Sequence, residues 1–297
     1  MLKSIVHTFT TRFAGAIISF LVVWITARFL GAEIRGEISL LLLNITIITL
    51  INNVFGGPAL VFLVPRLKVF RLMLSGYIWI IISSLAMSLV IFSLNHVSLQ
   101  LLPALFLLSL ISSYLTFNLN LLLGLEKIKE NNFIYLVQVT CLLLPLLVYV
   151  FLLEERNFNV FINSLYFSYG IAFLISFFNL TDKIGPWSFD NLKEVIGKTF
   201  KHGVFIQLSS LVQLLNYRFS YYIIEAFRGT ASLGIYSVGI TIAEAVWLIS
   251  KSISMVQYSK IANISDLAIA QKITINMVKI SFIGSLVAIL ILLLIPI

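Results

Sequence analysis

Charged residues are scarce in this chain. Asp, Glu, Lys and Arg together make up 11% of its 297 residues, whereas a soluble domain has about 25%. Apolar residues make up 60%, and the mean hydropathy is +1.06. Segments of alternating polarity, the pattern of membrane β-barrel strands, are also missing. The composition therefore excludes a soluble chain and predicts an all-α integral membrane protein.

Residues that bind metals or perform catalysis are equally scarce. Cys141 is the one cysteine, which excludes an internal disulfide, and His7, His96 and His202 are far apart in the chain. No group of His, Cys, Asp or Glu has the spacing of metal ligands, and no phosphate-binding glycine loop or nucleophile motif occurs. We therefore expect no catalytic residues, no metal and no cofactor, and a function other than that of an enzyme.

Long uncharged runs dominate the sequence. The run from Leu72 to Leu125 holds 54 residues, enough for two helices of about 20 residues each, the length that crosses a bilayer. Asn95, His96 and Pro103 are expected to separate the two. The same criterion predicts nine spans, at roughly 9–30, 38–64, 73–94, 101–123, 132–153, 159–180, 204–226, 233–257 and 277–297.

The positive charge of the chain follows its predicted topology. A cytoplasmic N-terminus places fourteen Lys and Arg residues inside and four outside, namely Arg28, Arg35, Arg156 and Arg228. This asymmetry is the positive-inside pattern of multi-pass membrane proteins. The net charge of +8 therefore needs no nucleic acid partner to explain it.

A short phrase occurs twice at turns between predicted helices. Phe29-x-Gly31-x4-Gly36-x2-Ser39 returns 198 residues later as Phe227-x-Gly229-x4-Gly234-x2-Ser237. An even number of helices between the copies predicts two lobes related by a parallel repeat. The lobes are residues 1–182, with six helices, and residues 204–297, with the first three helices of an incomplete second lobe. A complete second lobe would reach about residue 380, so the repeat predicts a fragment or a shortened protein, with a nine-span protein that ends naturally at Ile297 as the alternative.

Residues 183–203 are expected to link the lobes. Phe189, Leu192, Val195, Ile196, Thr199 and Phe200 recur at helical spacing, with lysines around the other side. This pattern predicts a short basic amphipathic helix on the cytoplasmic leaflet, with a solvated linker as the alternative.

The predicted seventh span is the least apolar of the nine. At 100° per residue, Gln207, Arg218 and Glu225 fall within about 20° of one another, flanked by Tyr221 and Tyr222. Polar side chains also occupy the opposite side of this helix. A helix that is polar on both sides cannot face lipid broadly. We therefore expect it inside the bundle, beside a cavity.

Glu244 of the predicted eighth span lies at nearly the depth of Arg218. Arg218 is eleven residues before Gly229 and Glu244 fifteen after it, so antiparallel helices bring them within about 6 Å in depth. An ion pair is one interpretation, and an Arg218 that binds an anionic substrate is the other. Arg12, near the inner end of the first span, is a second candidate for an anionic headgroup, or else an ordinary interfacial anchor.

Several phrases resemble one family of membrane proteins. The stretch Ala27-Arg28-Phe29-Leu30-Gly31-Ala32-Glu33-Ile34-Arg35-Gly36 is similar to the A-R-x-L-G-x-x-x-x-G turn of polysaccharide-exporting flippases. These form the Wzx-like branch of the multidrug/oligosaccharidyl-lipid/polysaccharide exporter superfamily. Leu123-Gly124-Leu125-Glu126-Lys127 and Gly234-Ile235-Tyr236-Ser237 resemble further landmarks of this family.

The resemblance implies a flippase of the bacterial cytoplasmic (inner) membrane. Its partner would be an undecaprenyl-diphosphate-linked oligosaccharide, moved to the outer leaflet by alternating access for O-antigen, capsule or exopolysaccharide assembly. Arg12 and Arg218 are the candidates for diphosphate contact, with Gln207, Tyr221 and Tyr222 nearby, and Glu244 or Glu225 for ion coupling. Membrane lipids and other polysaccharide-assembly membrane proteins are the further partners it implies.

Three alternatives to the flippase remain open. A multidrug exporter of the same superfamily would favour acidic groups within the first six spans, which hold none in their interiors. An integral-membrane polysaccharide polymerase or ligase usually has a large outer loop, and every predicted outer loop here is short. The third is an inactive remnant of a flippase.

Overall fold

The computed structural model describes residues 2–94, 97–185, 190–244, 247–262 and 267–293. Every regular element in these residues is a helix. The helices are α1 (Leu2–Ile25), α2 (Ala32–Asn52), α3 (Gly57–Leu63), α4 (Val69–Ser93), α5 (Leu102–Gly124), α6 (Ile128–Leu147), α7 (Phe158–Thr181), α8 (Leu192–Glu244), α9 (Trp247–Ala262) and α10 (Leu267–Leu293). Single π-helical turns extend α1 over Thr26–Leu30 and α6 over Val148–Leu152.

Seven helical segments of the described residues are long and apolar enough to cross a membrane. They are His7–Leu30, Ala32–Leu63, Val69–Ser93, Leu102–Gly124, Ile128–Leu152, Phe158–Thr181 and Ala268–Leu290. These correspond to the first six predicted spans and the ninth, which confirms an all-α, multi-pass architecture. The segments of the predicted seventh and eighth spans are helical but do not belong to the seven. The seventh predicted span carries too many polar side chains to be apolar enough. In the eighth, residues 245 and 246 lie outside the described part of the chain.

The helix boundaries follow local signals in the sequence. Asn52-Asn53 and Gly56-Gly57-Pro58 favour a bend in the second span, and α2 and α3 are separated there. Gly57 has a positive φ of 56°, and Pro58 stands in the first turn of α3. Asn157 begins α7 by accepting a hydrogen bond from the backbone N–H of Val160 (3.2 Å), as a helix cap does. The 54-residue run divides between α4 and α5, and its Asn95–His96 pair lies outside the described residues.

Short polar side chains join α2, α4, α5 and α7 inside the bundle, while α3 and α6 pack against these helices and α1 packs against α6. The Asn52 amide donates to the hydroxyls of Ser84 (2.8 Å) and Ser113 (2.6 Å), which lie on α4 and α5. The Asn118 amide donates to Ser176 Oγ on α7 (2.9 Å). Such bonds between helices replace the hydrophobic driving force that a lipid environment does not supply. Helices α1 to α7 therefore form one packed unit, here called the six-span unit.

Helix α8 packs along α2 and is divided by Gly229. The backbone of Gly229 (φ 80°, ψ 170°) repeats that of Gly31 between α1 and α2 (φ 89°, ψ 168°). These left-handed values favour glycine, which has no Cβ to clash. Residues 192–228 and 230–244 are therefore two helical arms joined at a sharp turn, here called the long arm and the short arm of α8.

The two copies of the repeated phrase touch each other. A Cβ built on Gly36 would lie 2.0 Å from the carbonyl oxygen of Thr230, and one built on Gly234 would lie 2.0 Å from that of Ala32. Thr230 and Gly234 stand 198 positions after Ala32 and Gly36. The contact is thus reciprocal, and it brings the backbones of α2 and the short arm together at two points.

The segment predicted as a separate amphipathic linker helix is the first part of the long arm. Val195 and Thr199 are buried, and Ile196 and Phe200 are exposed, while Phe189 lies outside the described residues. A Cβ on Gly203 would meet the carbonyl oxygen of Val54 at 1.8 Å. The segment therefore packs through one face against the six-span unit, because its smallest residues permit a close approach, and continues without a break into the predicted seventh span.

Candidate functional site

Two cavities lie beside the long arm of α8. The first, of about 410 Å³, is lined by residues of α1, α2, α6, α7 and both arms of α8. The second, of about 730 Å³, lies between α2, α8 and α9. Arg218 lines both cavities. The polar helix is therefore beside cavities, as its two polar sides predict.

Arg218 is held by groups on both arms of α8. Its Nη2 lies 2.6 Å from Glu244 Oε1 and 2.7 Å from Glu244 Oε2, and its Nη1 donates to the hydroxyl of Tyr221. The guanidinium carbon is 4.9 Å from the centre of the Tyr221 ring. Because Arg218 precedes Gly229 and Glu244 follows it, this ion pair clamps the long arm to the short arm.

A second guanidinium lines the first cavity. Arg35 is 5% exposed, and its Nε has no hydrogen-bond partner among the described residues. The sequence predicts Arg35 in the turn before a second span that begins at residue 38, whereas in the structure it belongs to a helix. Helix α2 begins at Ala32, so Arg35 lies in its first turn and faces inward. The signal was readable, since Arg35, Ser39, Leu42 and Thr46 follow the i, i+4, i+7, i+11 pattern of one helix face and all four line the cavity.

The first cavity is cationic and polar. Arg35 and Arg218 line it, and no carboxylate of the described residues does. Eight side chains bring hydroxyl or amide groups to its wall: Ser19, Ser39, Thr46, Gln138, Ser168, Tyr169, Tyr221 and Thr241. Guanidinium groups bind phosphate and carboxylate oxygens in pairs. The arrangement can therefore bind an anion together with neutral hydrogen-bonding groups.

The second cavity has a different lining. Arg218, Glu244 and Lys251 bring two cationic groups and one acidic group to it. The rings of Tyr217 and Trp247 lie 5.1 Å apart there, and Lys251 Nζ is 5.6 Å from the Trp247 ring. Aromatic faces beside hydroxyl and amide groups suit ligands with both apolar and polar surfaces.

Tyrosines 221 and 222 extend from the polar helix in different directions. Tyr221 is buried and lines the first cavity, as do Arg35 of α2 and Arg218 of α8. Tyr222 lines neither cavity and donates a hydrogen bond to Asn44 Oδ1 on α2 (2.6 Å). Tyr221 thus belongs to the site, and Tyr222 fastens the long arm to the six-span unit.

The other candidates from the sequence lie away from both cavities. Arg12 donates to Asn131 Oδ1 (3.1 Å) and stacks over the Tyr135 ring at 4.0 Å, so it fastens α1 to α6. Gln207 is buried beside Gly57, where its amide nitrogen would lie 2.5 Å from an added Cβ. Glu225 is half-buried. The structure therefore brings together Arg218, Tyr221 and Glu244 from the predicted set and adds Arg35.

A metal site does not occur in the described part of the chain, where no three His, Cys, Asp or Glu side chains are grouped. Comparisons of the chain with protein-family models, with curated proteins and with solved structures each give no match. The resemblance to flippases therefore rests on the sequence phrases alone. The conclusion that stands on the structure is coarser: this is an all-α, multi-pass membrane protein with a cationic cavity between its six-span unit and α8.

Proposed function

We propose that this chain is a flippase for an undecaprenyl-diphosphate-linked oligosaccharide in the bacterial cytoplasmic (inner) membrane. The observation that carries the proposal is the first cavity, where Arg35 and Arg218 face one space without a carboxylate among the described residues that line it. A charged side chain within a membrane protein is costly and usually marks a substrate or ion path. A diphosphate offers the paired oxygens that guanidinium groups bind best.

The sizes of the two cavities fit the parts of such a substrate. A volume of about 410 Å³ lies within the range of pockets for small ligands, about 300–1,000 Å³. It suits a diphosphate with its nearest sugar, and the polyprenyl chain would remain in the lipid. Further sugars would enter the second cavity, where Trp247 and Tyr217 provide aromatic surface beside Ser210 and Gln213.

The proposed movement is a rocking of two lobes. In this proposal α8 to α10 begin a second lobe, related to the six-span unit by a parallel repeat, and the segments 204–226 and 233–257 also span the membrane. The shared backbone of Gly31 and Gly229 and the reciprocal contact of Gly36 and Gly234 support the relation. Parallel repeats about an axis along the membrane normal are typical of transporters. The positive-inside charges support a cytoplasmic N-terminus.

The charge of the first cavity favours an anionic over a cationic substrate. A multidrug exporter that moves cations needs an accessible acid, whereas Glu244 is paired with Arg218 and faces the second cavity. The flippase is therefore the better supported of the two transport functions.

A reconstitution assay tests the proposal. The chain is placed in proteoliposomes with a fluorescent, short-chain prenyl-diphosphate oligosaccharide, and the fraction reaching the opposite leaflet is measured by quenching. We expect transfer by the wild-type protein, and at least about a tenfold slower transfer by Arg218→Ala, because one charge-assisted contact contributes about 1.5–3 kcal/mol. Equal transfer of a prenyl-linked sugar without phosphate, or no transfer by the wild-type chain, would contradict the proposal.

A further inference from the structure

Arg35 carries a buried charge that no other residue of the described part of the chain satisfies. The side chain is 5% exposed, its Nε has no partner, and no ion pair to it forms among the described residues. Buried polar groups in native proteins are almost always hydrogen-bonded, so an exception calls for a ligand or water. Because Arg35 lines the first cavity, that partner must come from the cavity.

The guanidinium of Arg218, in contrast, has partners within the protein. Both oxygens of Glu244 contact its Nη2, and Tyr221 accepts a hydrogen bond from its Nη1. The charge of Arg218 is therefore compensated before any ligand arrives. An anion that approaches Arg218 first would have to displace Glu244, whereas an anion at Arg35 meets an uncompensated cation.

The position of Arg218 gives it access to two partners. It lines both cavities, while Glu244 lines the second and Arg35 lines the first. An anion bound at Arg35 therefore lies in a cavity that Arg218 also lines and that Glu244 does not line. It competes with Glu244 for the same guanidinium.

We propose that Arg35 is the primary binding group for a phosphate- or diphosphate-bearing ligand, and that the bound anion then draws Arg218 away from Glu244. The second step releases the clamp between the two arms of α8, since Arg218 and Glu244 stand on opposite sides of the Gly229 turn. Ligand binding thereby loosens the short arm. The inference rests on the proposed function for the identity of the ligand, and its site stands on the geometry alone.

Binding to the purified chain in lipid nanodiscs tests the order of contacts. The probes are inorganic diphosphate, geranyl diphosphate and geraniol, and the readouts are calorimetric affinity and the thermal unfolding midpoint. We expect both diphosphates to bind and geraniol not to bind. Arg35→Gln should weaken diphosphate binding at least about tenfold, because a charge-assisted contact is lost. Glu244→Gln should strengthen binding, since Arg218 then lacks its competing carboxylate.

The stability of the ligand-free protein separates a binding role from a structural one. Removing an unpaired buried charge should leave the unfolding midpoint of Arg35→Gln equal to or above that of the wild type, while its shift on adding diphosphate disappears. Arg28→Gln is the matched control, because Arg28 is an exposed arginine of the same helical connection and lines neither cavity. It should retain the wild-type affinity and shift.

Three results would overturn the inference. They are an Arg35→Gln protein that binds diphosphate as the wild type does, a Glu244→Gln protein that binds it no more tightly, and a wild-type chain that binds neither diphosphate. The proposed function fails separately. If diphosphate binding depends on Arg35 but no lipid-linked oligosaccharide is transferred, the site stands and the flippase does not. If transfer occurs and Arg35→Gln changes nothing, the flippase stands and the assignment of Arg35 does not.

Discussion

The Arg218–Glu244 pair stabilises the molecule in a way that a surface pair does not. The two side chains are 21% and 27% exposed, so neighbouring residues cover most of their surface. Exposed ion pairs contribute about 0–1 kcal/mol. Removing one partner of a buried pair costs more stability than removing one partner of an exposed pair, because it leaves a buried charge without compensation. The pair should therefore be strongly coupled in a double-mutant cycle.

We expect Arg218→Gln and Glu244→Gln each to destabilise the protein by about 2 kcal/mol. The double variant should lose less than the sum of the two, since it leaves no unpaired charge. Equilibrium unfolding in mixed micelles measures all three variants. Strictly additive losses would show that the two side chains do not stabilise each other.

The two arginines of the first cavity differ in how far the sequence reveals them. Arg218 stands in a long polar helix. Counting residues from Gly229 places Glu244 at nearly the same depth in the membrane as Arg218, so the sequence offers their ion pair as one interpretation, and the structure contains it. The sequence places Arg35 in a turn because the predicted second span begins only at residue 38. The spacing of Arg35, Ser39 and Thr46 indicates a shared helix face, but the burial of Arg35 also depends on the packing of α8 against α2, which cannot be read from one sequence.

At the level of helices, small residues decide how α8 meets the six-span unit. Backbone contacts at Gly36, Gly234 and Gly203 would all be blocked by a Cβ. Small residues at helix contacts are the usual means of close packing in membranes. The bend at Asn52 to Pro58 and the division between α4 and α5 were predictable from local signals. The continuity of the linker with α8 was not, because it follows from packing against α3 and α4.

We expect Gly36→Ala and Gly234→Ala each to cost about 1–3 kcal/mol, the usual range for overpacking. The added methyl would lie 2.0 Å from a carbonyl oxygen in either case, so the helices must move apart. The unfolding midpoint in nanodiscs measures the loss.

Gly239→Ala provides the control on the same short arm. Nothing lies within 4 Å of a Cβ at Gly239, so alanine should be neutral or stabilising by up to about 1 kcal/mol. A Gly234→Ala protein as stable as Gly239→Ala would mean that the helices do not approach as closely as the structure shows.

For the molecule as a whole, composition predicts the class of architecture and charge distribution predicts its orientation. Four uncharged runs, one of them long enough for two helices, give five of the six spans directly, because a long apolar helix is recognisable from hydropathy alone. The seventh and eighth predicted spans are harder to assign. Their polar side chains have partners within the protein: Tyr222 donates to Asn44 on α2, and Arg218 pairs with Glu244 on the other arm of α8. A hydropathy value does not include such contacts.

A transport function of the proposed kind requires the six-span unit and α8 to move relative to each other. The Tyr222 hydroxyl donates to Asn44 across their contact (2.6 Å), so this pair of positions is suited to a cross-link. In a Cys141→Ser background, Asn44→Cys with Tyr222→Cys is treated with a short bifunctional maleimide. The transfer of the fluorescent lipid-linked oligosaccharide is measured before and after treatment. We expect the cross-link to abolish transfer, because rocking of the two parts is blocked.

The matched control joins two helices that belong to the same unit. Asn118 and Ser176 form a hydrogen bond of 2.9 Å between α5 and α7, and Asn118→Cys with Ser176→Cys can be cross-linked in the same background. Transfer should continue there, because the six-span unit moves as one body in this mechanism. If the cross-link between α2 and α8 leaves transfer unchanged, the two parts do not rock. The substrate would then have to pass through a path that the first cavity does not form.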